Sequence, residues 1–238
     1  MKLRIRHTKL GKVRFTSHRD TARHWERAVR KAGVRVSYSA GFTPRPKLSF
    51  GLALPTGAES LAEYLDMELE ADQGTPAEIA ALLGPALPTG YELVESAVVE
   101  GRSHSLQDAV VACTWQLHVA GVSADALVDA AERVVAAASV PLARERKGQR
   151  SIDDVRPAIE RLVTLGPDSA GRPRLEADLC TTGRGLRPSE LMEVLFPEAD
   201  VLDLTARLVR THQWIDEDGT RRELLPSAAA GRAFAAYA

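Results

Sequence analysis

Arginine is the residue type here whose number and spacing could do chemistry. Arg19, Arg23, Arg27 and Arg30, joined by Lys31, recur at intervals of three and four, which gathers five cations on one side of a helix. Guanidinium groups present forked donors matched to phosphate oxygens, so a row of them suits a polyanion. A few residues on, segment 38–51 contains Tyr38, Gly41, Phe42, Arg45 and Lys47 and no acidic side chain. Pro44 and Pro46 make it stiff and extended. Its aromatic rings offer stacking platforms for unpaired bases, and Gly41 lets a backbone approach closely. A second basic group, Arg144, Arg146, Lys147 and Arg150, reads as a turn at a strand end far along the chain. Thr182-Gly183-Arg184-Gly185-Leu186-Arg187, just before a helix, could cradle a phosphate.

Acid–base chemistry has thinner support. His18 could serve as a general acid or base, as imidazoles do, and Asp20 follows it in a helix's first turn, where a carboxylate stabilises the N-terminus. Cys113 and Cys180 stand far apart without a CxxC or a histidine-rich companion, so no disulfide framework, zinc or iron–sulfur site is expected. No Walker-type loop, no GxGxxG after a strand and no nucleophile with a neighbouring base is found, and no cofactor or metal is expected. There is no run of about 18 apolar residues, and the N-terminus alternates like an amphipathic strand, which predicts a cytoplasmic protein without a membrane partner.

The formal net charge of −1 conceals a segregation. Residues 1–50 hold 14 Lys and Arg against 2 Asp and Glu; residues 51–100 hold 10 acidic and no basic side chains; residues 101–238 hold 17 basic against 20 acidic. Two readings are open. Basic and acidic strands neutralise each other in one sheet, or a basic face is displayed to a polyanion.

These residues need elements to position them. Alternation predicts half-buried strands with basic outer faces at 3–7 and 12–15, then a helix capped by Ser17 that ends at Gly33, with Ala22, Trp25, Val29 and Ala32 toward the core. Strands follow at 34–38, 48–54 and 63–70, a helix at 76–83 and a strand at 91–99. Beyond a polar connector, the pattern predicts a strand at 109–119, a helix at 124–138, strands at 140–146, 155–165 and 174–181, a helix at 188–196 and a strand at 206–214. The order βαββαβ is read twice, with an extra strand in the second copy. The expected class is α+β: two tandem ferredoxin-like domains, 1–104 and 105–215, side by side or sharing a continuous antiparallel sheet, with a loosely attached tail at 216–238.

Phe15-Thr16-Ser17-His18-Arg19-Asp20, Arg27, the stretch Tyr38-Ser39-Ala40-Gly41-Phe42-Thr43-Pro44-Arg45-Pro46-Lys47-Leu48-Ser49 and Leu54-Pro55-Thr56-Gly57-Ala58-Glu59-Ser60 resemble the radical-SAM-linked protein family, a domain found beside or fused to radical SAM proteins. Arg144-Glu145-Arg146-Lys147-Gly148 and Ile152-Asp153-Asp154-Val155-Arg156-Pro157 match a second stretch, so the resemblance spans roughly residues 1–200. Some relatives carry His at the position of Arg45. The resemblance implies a radical SAM protein as partner or pathway neighbour. The chain itself lacks the three clustered cysteines that hold a radical SAM cluster.

The leading expectation is an RNA-binding accessory protein in RNA modification or processing, its partner a tRNA or an rRNA. It would bind through Arg19, Arg23, Arg27, Arg30, Lys31, Tyr38, Gly41, Phe42, Arg45, Lys47, Arg144, Arg146, Lys147 and Arg150. Alternatives are a docking subunit of a radical SAM enzyme, or an RNA-modifying enzyme similar in architecture to tRNA pseudouridine synthases, with His18 and Asp20 as its catalytic candidates.

Overall fold

A computed structural model describes residues 1–70, 73–100, 105–146 and 148–225, the side chain of Arg146 excepted. The chain is α+β and its described residues divide into two units, 1–110 with 215–225, and 111–214.

The first unit runs β1 (Lys2–Lys9), α1 (His18–Ala32), β2 (Leu48–Phe50), β3 (Glu59–Glu68), α2 (Pro76–Leu83) and β4 (Leu93–Val98). Its strands are ordered β4-β1-β3-β2, the ferredoxin-like arrangement, and every pairing is antiparallel. In that register Ile5 lies opposite Leu65 and Arg4 opposite Asp66. Leu3 and Ile5 of β1, Leu65 and Met67 of β3, Trp25 and Val29 of α1, and Ile79 and Leu83 of α2 form the core, each at most 1% exposed. Two sheet strands and two helices thus share one apolar layer, and burying each large side chain contributes about 1.5–3 kcal/mol.

α1 begins where Ser17 turns the backbone extended and its hydroxyl accepts from the N–H of Asp20. It ends where Gly33 takes the left-handed conformation at φ 69°, which a side chain would resist. Between these stops Thr21, Trp25, Ala28 and Val29 are buried, while Ala22 and Ala32 are half-buried. The helix is therefore strongly two-faced, and its outer face belongs to the arginines.

The second unit runs β5 (Val110–Val119), α3 (Ala124–Ala136), the hairpin β6 (Pro141–Arg146) and β7 (Gln149–Asp154), β8 (Ile159–Leu165), β9 (Arg174–Cys180), α4 (Pro188–Leu195), α5 (Val201–Leu204) and β10 (Thr205–Glu217). Its sheet order is β10-β5-β9-β8, the same plan again, with β6–β7 as a separate two-stranded insertion.

Several expectations are corrected. Residues 11–15 form a 3-10 turn, because Gly11 takes φ 64° and donates its N–H to Glu59, and the Thr16 N–H closes onto Val13. Two apolar residues in alternation were too few to specify a strand. Segment 34–38 makes only isolated bridges, Val36 to Leu69 and Tyr38 to Pro46. The strand expected to begin at 155 begins at Ile159, after a 3-10 turn containing Pro157. β7 was not foreseen: its one large apolar side chain, Ile152, is 77% exposed, so neither face carries an apolar stripe.

The loose tail is also revised for residues 216–225. β10 runs to Glu217, and Asp218 and Gly219, at φ 53° and 76°, make the two-residue turn that starts β11 (Thr220–Glu223). Glu223 then pairs with Arg6, which is fully buried, at 2.8 Å, and Leu224 and Leu225 pack on Ala62 and Tyr64. Residues 226–238 lie outside the described residues.

Candidate nucleic-acid interface

β1 was expected to show solvent a basic outer face, and the structure spends that charge inside the unit. Arg4 holds Asp66 with two hydrogen bonds of 2.8 and 3.0 Å, Lys2 reaches the same carboxylate at 3.0 Å, and Arg6 has Glu223. Arg14 pairs with Glu59, Arg35 with Glu70 and Lys47 with Glu68. Neutralisation between neighbouring strands therefore accounts for a large part of the segregated charge.

α1 is the exception. Arg19, Arg23, Arg27, Arg30 and Lys31 are all exposed. Arg23 pairs with Asp20 at 2.9 Å, but Arg19, Arg27, Arg30, Lys31 and Arg45 form no ion pair among the described residues. Like charges at i,i+3 and i,i+4 repel, so the helix carries this face at a small cost to its stability.

Arg19, Ala22, Arg23, Glu26 and Arg30 of α1 form one wall of a groove of about 290 Å³ whose other wall is Tyr38 and Thr43-Pro44-Arg45-Pro46. The loop is closed on itself. The Ser39 N–H donates to the Arg45 carbonyl at 2.9 Å, the Arg45 N–H to the Ser39 hydroxyl at 3.0 Å, and the Lys47 N–H to the Ser37 carbonyl at 2.8 Å. Gly41 sits at φ 128°, a conformation closed to other residues, and no atom crowds it, so glycine is needed there for backbone shape. Phe42, next to it, is fully exposed, and Tyr38 is 48% exposed. A phenylalanine held in water at the tip of a braced loop is available for stacking.

Arg27 and Lys31 occupy the helix beyond the groove lining, and Lys47 is engaged with Glu68. Asp20 accepts from the Ser17 hydroxyl at 2.8 Å, and that bond, followed by the Arg23 guanidinium, holds its carboxyl below the usual aspartate range. Its geometry is that of a first-turn carboxylate bracing the Ser17 cap. His18 stands edge-on to Phe50 at 5.6 Å, at the rim of a small cavity that His7, Lys9, Thr21 and Glu63 also line.

The second basic group is arranged differently. Arg144 donates to the Gly185 carbonyl at 2.8 Å and to Glu190 at 2.9 Å, and lies 3.7 Å from Asp153. Arg184, from the Gly/Arg turn, bonds Asp153 and Ser151. Two segments some 40 residues apart are thereby pinned together, and Arg144 acts as their clamp. Arg150 is exposed and pairs with Glu145 at 3.3 Å. Lys147 and the side chain of Arg146 lie outside the described residues.

The sequence reading missed a buried polar cluster. His7 and Lys9 are each 2% exposed. His7 packs against Trp25 at 4.8 Å and Tyr91 at 6.0 Å, and Lys9 donates to the Thr16 carbonyl at 2.8 Å. The Tyr91 hydroxyl lies 3.3 Å from Thr16, Thr21 and His24 alike. Burial, then the nearby Arg27, pushes the His24 imidazole below its ordinary value. Period two places His7 and Lys9 on the same face as Leu3 and Ile5, and that signal could have found them.

Among the described residues no group of His, Cys, Asp and Glu could hold a metal ion, and no helix is long and apolar enough to cross a membrane. Cys113 is buried and Cys180 half-buried, and neither is in a disulfide.

Residues 2–188 match the family model described as "uncharacterized protein conserved in bacteria (DUF2344)". The chain belongs to this family. The match takes in β1, α1, the groove loop and the β6–β7 hairpin, so the whole candidate interface is family sequence. No curated protein matches the chain. Among solved structures it is similar to a chain in the crystal structure of a Cbf5-Nop10-Gar1 complex, at 8% identity and a TM-score of 0.49, over 89% of this chain and 48% of that one. The chain thus spans about half the length of that solved chain.

Proposed function

We propose that the protein binds RNA in the groove between α1 and the loop at 39–46, as an accessory factor in RNA modification or processing, with tRNA and rRNA as the candidate partners. The observation that carries this reading is the lining itself. Arg19, Arg23, Arg30 and Arg45 converge on one groove with Tyr38, and three of the four arginines form no ion pair among the described residues, whereas Lys2, Arg4 and Arg6 of β1 are engaged by carboxylates. Phosphates take up such dispersed, forked positive charge, and Phe42 and Tyr38 add faces on which unpaired bases stack.

The resemblance to radical-SAM-linked proteins supplies the competing reading, in which the same face docks on an acidic protein surface. An independent catalyst has less support, since Asp20 is committed to the Ser17 cap hydroxyl and to Arg23.

The test is binding of purified protein to a labelled cellular RNA pool across a salt series. The expected result is binding at low salt, with log affinity falling by about 0.7 per phosphate contact per log unit of salt. No binding at low salt, or affinity indifferent to salt, overturns the reading. Recovery from cells of an iron–sulfur protein in place of RNA, lost on Arg19→Ala/Arg45→Ala, would assign the face to protein docking.

A further inference from the structure

Glu26 is the anomaly of the groove. It lies three residues after Arg23 and four before Arg30 on α1, the spacings at which helical ion pairs form. It nevertheless forms no hydrogen bond or ion pair with any described residue, and it lines the groove among four arginines. For holding phosphate alone, a carboxylate in that position is a defect, because it repels the ligand its neighbours attract.

A carboxylate offers two acceptor oxygens and no donor. Its match on a nucleic acid is a pair of adjacent N–H groups. Guanine alone among the four RNA bases presents two neighbouring donors, N1–H and the N2 amino group, on its Watson–Crick edge; adenine and cytosine present one amino group there, uracil one imino group. The groove also supplies a half-exposed ring, Tyr38, against which a base can lie, and arginines for the flanking phosphates. Its volume of about 290 Å³ is at the small end of ligand sites, a size for one nucleotide.

We infer that the groove reads an unpaired guanosine within an RNA strand, with Glu26 accepting from N1–H and N2–H, Tyr38 stacking the base and Arg19, Arg23, Arg30 and Arg45 holding the adjoining phosphates. This rests on the RNA-binding reading and adds base identity to it.

The test is fluorescence anisotropy with short labelled uridine strands carrying guanosine, inosine or adenosine at the centre, for the unmodified protein and for Glu26→Gln. Guanosine should bind about tenfold more tightly than adenosine, with inosine, which lacks the N2 amino group, in between. Glu26→Gln should bring guanosine to the adenosine level while the adenosine strand binds as before or slightly better, because the repelling charge is gone. Equal affinity for all three strands, or a guanosine preference that survives in Glu26→Gln, overturns the inference and leaves RNA binding standing. Failure of every strand to bind overturns both. Free guanosine monophosphate is the last arm: competition at the same concentration as the strand would reassign the groove to a free nucleotide and overturn the strand reading.

Discussion

Arg19→Ala/Arg30→Ala/Arg45→Ala is expected to weaken RNA binding on the order of a hundredfold at moderate salt, taking roughly 1 kcal/mol for each exposed phosphate contact. The slope of log affinity against log salt should become shallower by roughly 2, or about 0.7 for each of three contacts. These arginines line the groove, are exposed and have no ion pair among the described residues, so their removal leaves the protein's own charge pairs intact. Thermal stability should hold or rise, since α1 loses like-charge repulsion. Arg222→Ala is the control: that side chain is exposed and paired with Glu217 at 3.4 Å, away from the groove lining, and its loss should leave both slope and affinity unchanged. Equal loss in the control would mean that binding follows overall charge and not the groove.

The second large effect concerns stability. Glu223→Ala should cost about 3–5 kcal/mol in urea unfolding, the usual result of removing one partner of a buried ion pair. The Arg6 side chain is fully buried, with Nε donating to the Leu61 carbonyl and Nη1 to Glu223, so the substitution strands a charge that water cannot reach. Replacing both partners, Arg6→Met/Glu223→Leu, should recover most of that loss, because the desolvation penalty goes with the charges. A Glu223→Ala protein within about 0.5 kcal/mol of the parent would show that β11 does not close the first unit, and would restore the loosely attached tail.

Local signals made much of the frame legible. Ser17 and Gly33 bracket α1 because a cap hydroxyl and a left-handed glycine act within one turn. The three-and-four spacing of arginines against Trp25 and Val29 gave the helix its two faces, and Pro44 and Pro46 marked the stiff loop that became the opposite wall of the groove. What stayed hidden depends on partners distant in sequence. Arg4 and Arg6 look like solvent-facing cations until Asp66 and Glu223 arrive from 62 and 217 residues away. Arg144 looked like a free phosphate ligand until the turn at 184–185 folded onto it. β7 had no apolar face to announce it, since its pairing with β6 alone makes it a strand. The groove itself lay between those extremes. Both walls could be named from sequence, but their facing each other, and the unpaired carboxylate of Glu26 between them, required the fold.

RNA held in the groove makes contact in one place, and ultraviolet cross-linking of the purified protein to the RNA pool, followed by mapping of the cross-linked peptides, measures that place directly. Cross-links at Tyr38 or Phe42, lost on Arg19→Ala/Arg30→Ala/Arg45→Ala, are the predicted result. Cross-links confined to the β6–β7 hairpin, or none at low salt, would contradict it.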